Sequence, residues 1–107
     1  MPLRIRVCAL ADLDPGTMAS FRPQEIPGPL LLARLGDRVL AASGLCTHDD
    51  VELSKGQLKG PVVICPGHHY HYSLETGACL YHPVPPLPLY RAFVENGDVY
   101  VELASPQ

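Results

Sequence analysis

The sequence predicts an all-β domain built from short antiparallel strands. Nine apolar or alternating runs of three to seven residues recur along a chain of 107 residues. Nine glycines and twelve prolines, about a fifth of the chain, punctuate them. No run sustains the 3.6-residue period of an amphipathic helix, and glycine and proline at this density break long helices. Many short strands separated by turn residues make a sandwich or a barrel. A chain of this length is one domain, residues 1–107, with a modest core.

The elements follow in order. Residues 4–10 alternate polar and apolar, with Ile5 and Val7 on one side, as a half-buried strand does. Residues 11–16 end in Pro15-Gly16, a turn. Residues 17–22 form a second strand, and residues 23–29, with three prolines and a glycine, form a loop. Residues 30–35 and 38–42 are apolar runs joined by Gly36-Asp37, a two-residue hairpin turn whose leading glycine suits type II′ geometry. Ser43-Gly44 ends the second run and delivers the chain to Cys46. Residues 49–60 are a polar loop, with Gly56 and Gly60 as turn points and Val51 and Leu53 packing beneath it. Pro61-Val62-Val63-Ile64 is a β-branched strand that runs straight into Cys65.

Residues 70–74 and 79–81 are strands on either side of the turn Glu75-Thr76-Gly77-Ala78. His82-Pro83-Val84-Pro85-Pro86-Leu87-Pro88 cannot be a central strand and forms a stiff loop near polyproline II. Residues 89–95 and 99–103 close the chain as a hairpin on Asn96-Gly97, a strong turn dipeptide, and residues 104–107 are a frayed tail.

Bulk properties narrow the function. No window holds eighteen consecutive apolar residues, so no transmembrane helix is expected. The first residues carry no apolar core of signal-peptide length, which sets the expectation of a cytoplasmic protein without a membrane partner. The net charge of −3 argues against nucleic acid, whose binding leaves a basic patch. Of four cysteines, Cys8 and Cys79 are expected to be reduced, small and partly buried, a disulfide between them being the lesser reading.

The chemistry concentrates in two stretches, Cys46-Thr47-His48 and Cys65-Pro66-Gly67-His68, with sixteen residues between His48 and Cys65. Each stretch offers one thiolate and one imidazole. A zinc finger usually draws its cysteines from one knuckle and its histidines from another. Mixed halves suit a [2Fe–2S] cluster in which one iron takes two thiolates and the other two imidazoles. A structural zinc site on the same four residues, in an interaction module, is the alternative.

Cys46-x-His48, this spacer and Cys65-x-x-His68 resemble the ligand signature of Rieske-type [2Fe–2S] ferredoxins. Leu45 and Thr47 flank the first cysteine as in many members, and Tyr72, Glu75-Thr76-Gly77, the proline run 83–88 and Gly97-Asp98-Val99-Tyr100-Val101 follow in the family's order. The likeness spans roughly residues 35–103. It implies a Rieske-like sandwich with a small inserted cluster-binding subdomain, about 43–81, and a shielding loop at 82–88. It implies one [2Fe–2S] cluster per chain, with Cys46 and Cys65 on one iron and His48 and His68 on the other. The function implied is that of a one-electron carrier rather than an enzyme. Electrons would come from an NAD(P)H-dependent flavin-containing ferredoxin reductase. They would pass to a terminal oxygenase, a ring-hydroxylating dioxygenase or a related monooxygenase. The small subunit of an assimilatory nitrite reductase is a rival within the same resemblance.

Imidazole ligands lower the negative charge on such a cluster and raise its potential above that of an all-cysteine ferredoxin. High-potential Rieske proteins add a disulfide between the ligand loops, a serine two residues after the second ligand histidine and a tyrosine four residues after it. Here Val51 and Gly67 stand near the disulfide positions, Tyr70 replaces the serine and Tyr72 supplies the tyrosine. Two features point to a low-potential centre and one to a higher potential. Tyr72 is either a hydrogen-bond donor to a ligand thiolate or a packed core residue. His69 occupies a position where glycine is frequent, and histidine tolerates left-handed backbone angles better than most residues. His69, His71 and His82 read first as surface residues and second as partner contacts. Asp49 and Asp50 read as a solvated loop, and no Ser-His-Asp set or paired carboxylate suggests catalysis.

Overall fold

The structure is a computed structural model that describes residues 3–47, 51–67 and 69–103. Ten strands form among the described residues. They are β1 (Leu3–Ala9), β2 (Met18–Phe21), β3 (Leu30–Leu35), β4 (Arg38–Ser43), β5 (Gln57–Lys59), β6 (Val62–Ile64), β7 (His71–Ser73), β8 (Cys79–Leu80), β9 (Leu89–Glu95) and β10 (Asp98–Leu103). The only helical segments described are two 3-10 turns, Leu10–Asp12 and Leu53–Lys55. No described helix is long and apolar enough to cross a membrane.

The strands make two antiparallel sheets. The larger has the order β1-β10-β9-β4-β3-β2 and draws on both ends of the chain; the smaller, β5-β6-β7-β8, lies between them in sequence. The hairpin turns are those the sequence predicts. Gly36 has φ +64° and Asp37 is not left-handed, in keeping with a type II′ turn, whereas Asn96 and Gly97 are both left-handed at +54° and +79°, as type I′ requires.

Each sheet has its own core, and β3 serves both. Leu30 and Leu32 are wholly buried in the first core with Ile5, Val39, Ala41, Val99 and Val101. Leu31 and Ala33 point the other way, into the second core with Leu53, Val63, Tyr72, Leu74 and Leu87. The unbroken apolar run Leu30-Leu31-Leu32-Ala33 is thus a strand with no solvent face, since adjacent side chains alternate between two interiors. Beyond Ser43 the layers are stitched by backbone bonds: Ser43 N–H to the Pro88 carbonyl at 2.9 Å, Gly44 N–H to Pro29 at 2.9 Å and Leu87 N–H to Gly77 at 2.7 Å. The proline loop is therefore pinned at its C-terminal end to both sheets.

Two local readings are corrected. Simple alternation in β1 fails because a bulge intervenes: Arg6 pairs with Tyr100, and Cys8, not Val7, pairs with Val99. The extra residue shifts the face, so Ile5 and Cys8 are the buried pair and Val7 is only half-buried. Residues 57–59 are a strand rather than part of a polar loop, pairing Gln57 with Ile64 and Lys59 with Val62. They are a three-residue edge strand in which only Leu58 is half-buried, so no hydrophobic alternation marks them. Cys8 lies in the first core and Cys79 beside the second, and both are free thiols.

Candidate metal centre

The two cysteine stretches occupy equivalent positions on equivalent loops. Leu45 forms a bridge with Glu52, and Ile64 pairs with His71, each with a residue seven further on. One step inward, Cys46 N–H donates to the Val51 carbonyl at 3.0 Å and Cys65 N–H to the Tyr70 carbonyl at 2.8 Å. Each cysteine is thus the first residue of a loop closed by a bond to the fifth residue beyond it. The β-branched strand β6 delivers Cys65 to its loop, and the end of the β3–β4 hairpin delivers Cys46. Equal framing gives the two cysteines the same backbone setting, which suits two mixed Cys/His loops that each serve two metal atoms.

Both thiols are buried, Cys46 at 1% exposure and Cys65 at 0%, in the one cluster that also holds Leu53, Tyr72, Leu74 and Leu87. The structure brings these two predicted site residues together. His48 and His68, with Asp49 and Asp50, lie outside the described residues.

Tyr72 fits its core reading, and its hydroxyl stands where the donor reading needs it. It is wholly buried and packs in the second core. Its hydroxyl also lies 3.2 Å from Cys46 Sγ. Burial, and next the hydrogen bond with Cys46, push the Tyr72 hydroxyl up to about 12, with Thr47 pulling the other way. The phenol therefore keeps its proton at neutral pH and can donate it to a thiolate. A plain thiol is at ease among apolar side chains. A hydroxyl donor beside it is what suits a charged, metal-bound sulfur, and in this respect the donor set fits an iron–sulfur centre.

The surrounding rings are ordered. His69 adopts the left-handed φ of +60° anticipated for its position, and its carbonyl accepts from His71 Nδ1 at 2.9 Å. Tyr70 stacks on His82 with centroids 4.3 Å apart and an interplanar angle of 19°. His71 meets Tyr81 edge-on at 5.8 Å, and Tyr81 is itself 84% exposed. His69 and His82 are exposed, in line with the surface reading, whereas His71 is half-buried. The loop at 82–88 reaches the site through Pro85, whose carbonyl accepts from Thr47 Oγ1 at 2.7 Å.

Thr47 is the residue whose part the sequence did not disclose. Its hydroxyl also lies 3.0 Å from Tyr72 Oη. Its partners are 25 and 38 residues away in the chain, so no local pattern announces them.

Comparison with known proteins converges on one group. The family model for the Rieske [2Fe–2S] domain matches residues 4–91. Ferredoxin CarAc of Metapseudomonas resinovorans is 36% identical over 98 residues, 91% of each chain. A 3-phenylpropionate/cinnamic acid dioxygenase ferredoxin subunit of Escherichia coli is 29% identical over 106 residues, 97% of each chain. Among solved structures, a chain in the complex of reduced oxygenase and oxidized ferredoxin in carbazole 1,9a-dioxygenase superposes with a TM-score of 0.84 at 35% identity, covering 92% of this chain and 91% of its own. A putative NADH-dependent nitrite reductase small subunit from Mycobacterium tuberculosis superposes at 0.87 over 99% of both chains, at 24% identity, a likeness of fold.

Proposed function

The chain belongs to the Rieske [2Fe–2S] domain family, whose cluster is its cofactor, and we infer that it is the ferredoxin of a multicomponent oxygenase. Cys46 and Cys65 hold one iron and His48 and His68 the other, one cluster per chain. The cluster supplies reversible one-electron transfer, in a range for such centres of roughly −150 to +300 mV. The protein's own residues shape that transfer. The apolar side chains of Leu53, Leu74 and Leu87 share one core with the two buried cysteines, and the Tyr72 hydroxyl stands within hydrogen-bond reach of Cys46. With Tyr70 in place of a serine, and no cysteine at the loop-disulfide positions, the centre belongs at the low-potential end. Residues 43–81 form the cluster-binding subdomain of a single domain, 1–107.

The observation that carries this reading is the pair of identically framed loops presenting two buried cysteines, one beside a hydroxyl donor. The relatives support the partner class. One is a carbazole-dioxygenase ferredoxin seen in complex with its oxygenase and another is a dioxygenase ferredoxin subunit. This chain accordingly delivers electrons to a terminal oxygenase and draws them from a flavin-containing, NAD(P)H-dependent reductase in the cytoplasm. The nitrite-reductase reading has a likeness of fold alone behind it, at 24% identity.

The test is the absorption spectrum of freshly purified protein, with metal and sulfide analysis, then dithionite reduction and low-temperature EPR. A red-brown protein that bleaches and gives a rhombic signal of low average g is the expected result. A colourless protein holding stoichiometric zinc overturns it. Reduction by NAD(P)H only when a flavin reductase is added, and onward oxidation by a terminal oxygenase, test the partners.

A further inference from the structure

Three contacts join Cys46, Tyr72, Thr47 and Pro85, and once Cys46 is a thiolate only two protons serve them; the count assigns a role to Thr47. Pro85 offers only a carbonyl, so in the 2.7 Å contact Thr47 must donate. A threonine hydroxyl has one proton. Toward Tyr72 Oη, 3.0 Å away, Thr47 Oγ1 is therefore an acceptor, and the Tyr72 proton points to it. With Cys46 as a protonated thiol the row is complete: Cys46 donates to Tyr72, Tyr72 to Thr47 and Thr47 to Pro85. With Cys46 as a metal-bound thiolate, its proton is gone. The single Tyr72 proton then faces two acceptors, Thr47 Oγ1 at 3.0 Å and Cys46 Sγ at 3.2 Å.

We propose that Thr47 is a positioning residue for the redox centre: fixed as an acceptor by the Pro85 carbonyl, it draws the Tyr72 proton away from the Cys46 thiolate and holds the potential down. The proposal rests on Cys46 being a cluster ligand. A hydrogen bond to a ligand thiolate favours the more negative, reduced state, and whatever weakens that bond opposes reduction. The proline loop thereby enters the tuning of the centre without touching its sulfur. Were Pro85 to move away, Thr47 would regain a free proton and could donate to Tyr72, leaving the Tyr72 proton wholly to Cys46.

The experiment compares the reduction potentials of the holoprotein, Thr47→Val, Thr47→Ser, Tyr72→Phe and the double variant Thr47→Val/Tyr72→Phe, each with its EPR spectrum. Thr47→Val is expected to favour reduction by about tenfold, a rise of about 59 mV for a one-electron couple. Thr47→Ser keeps the hydroxyl and stays at the parent value. Tyr72→Phe falls below it, and the double variant equals Tyr72→Phe, because Thr47 acts only through the phenol. An unchanged or lowered potential in Thr47→Val, or a rise that persists without the Tyr72 hydroxyl, overturns the role of Thr47 and leaves the ferredoxin reading intact. If Thr47→Val assembles no cluster, Thr47→Cys, a weaker acceptor of similar size, must show the rise. Failure of both variants to assemble makes Thr47 a structural residue and overturns the proposal. A parent protein without a [2Fe–2S] EPR signal removes both readings together.

Discussion

The hydroxyl of Tyr72 lies 3.2 Å from the sulfur of Cys46, across 26 residues of sequence and inside a core where Tyr72 has no exposed surface. With Cys46 as the proposed ligand thiolate, removing that hydroxyl takes a hydrogen-bond donor from it. A bond to a charged group contributes about 1.5–3 kcal/mol, and only the part that differs between redox states appears in the potential. Tyr72→Phe is expected to lower the midpoint potential by about 60 mV, one decade in a one-electron equilibrium. Spectroelectrochemical titration checks this, and a potential equal to the parent's would show that the contact does not reach the cluster.

Metal removal should cost stability as well as colour. Cys46 and Cys65 open two loops, one before β5 and one after β6 in the chain, and a cluster bridging them would cross-link those loops. Apoprotein prepared by acid or chelator is expected to melt lower by about 8–16 °C, corresponding to about 2 kcal/mol in a domain of this size. Thermal unfolding followed by far-ultraviolet circular dichroism measures it. Coincident melts would mean the loops are rigid without metal.

Gly56 is held to its identity by its neighbour. A β-carbon there would collide with the carbonyl oxygen of Ile64, the residue before Cys65, and would crowd Pro66 after it. Backbone atoms cannot swing aside as a side-chain tip can. Gly56→Ala is expected to cost about 1–3 kcal/mol and to reduce iron content per chain, because the displaced strand leads into the proposed ligand Cys65. Urea unfolding and iron analysis on the same preparation report the two effects.

Alkaline pH should weaken the fold through Cys8. Burial pushes its thiol above the ordinary 9.0, with the Asp12 carboxylate adding to the rise and Arg6 opposing it. The folded chain therefore holds this proton more tightly than the unfolded one. Its contribution is fully present below pH 9.0 and declines as the pH climbs from there through the folded value. Stability measured by urea unfolding is expected to fall between neutral pH and pH 10 or so, and Cys8→Val, which has nothing to ionise, should lose less over that interval. Parallel pH profiles for the two proteins would exclude Cys8 as the cause.

Local pattern made much of this protein legible. Gly36-Asp37 and Asn96-Gly97 announce their hairpins because a two-residue turn imposes φ > 0 on residues that tolerate it. The proline run 82–88 excludes a central strand by lacking amide donors. Cys46, His48, Cys65 and His68 stand at a spacing that itself suggests two mixed ligand loops. Position in the chain alone determined these features, since each turn, the proline run and each half of the ligand set depend on residues a few steps apart.

Tertiary structure decided the rest. Residues 57–59 became a strand because Val62–Ile64 offered a free edge, not because of their own composition. A bulge against β10 turned Cys8 inward in place of Val7. Leu31 found a second core on the far side of β3, which no single-strand pattern distinguishes from a strand buried in one. The row Cys46, Tyr72, Thr47, Pro85 joins residues up to 38 apart, and its chemistry depends on counting protons among groups that only folding makes neighbours. Sequence specifies which atoms can donate or accept; the three-dimensional contact decides which of them must share.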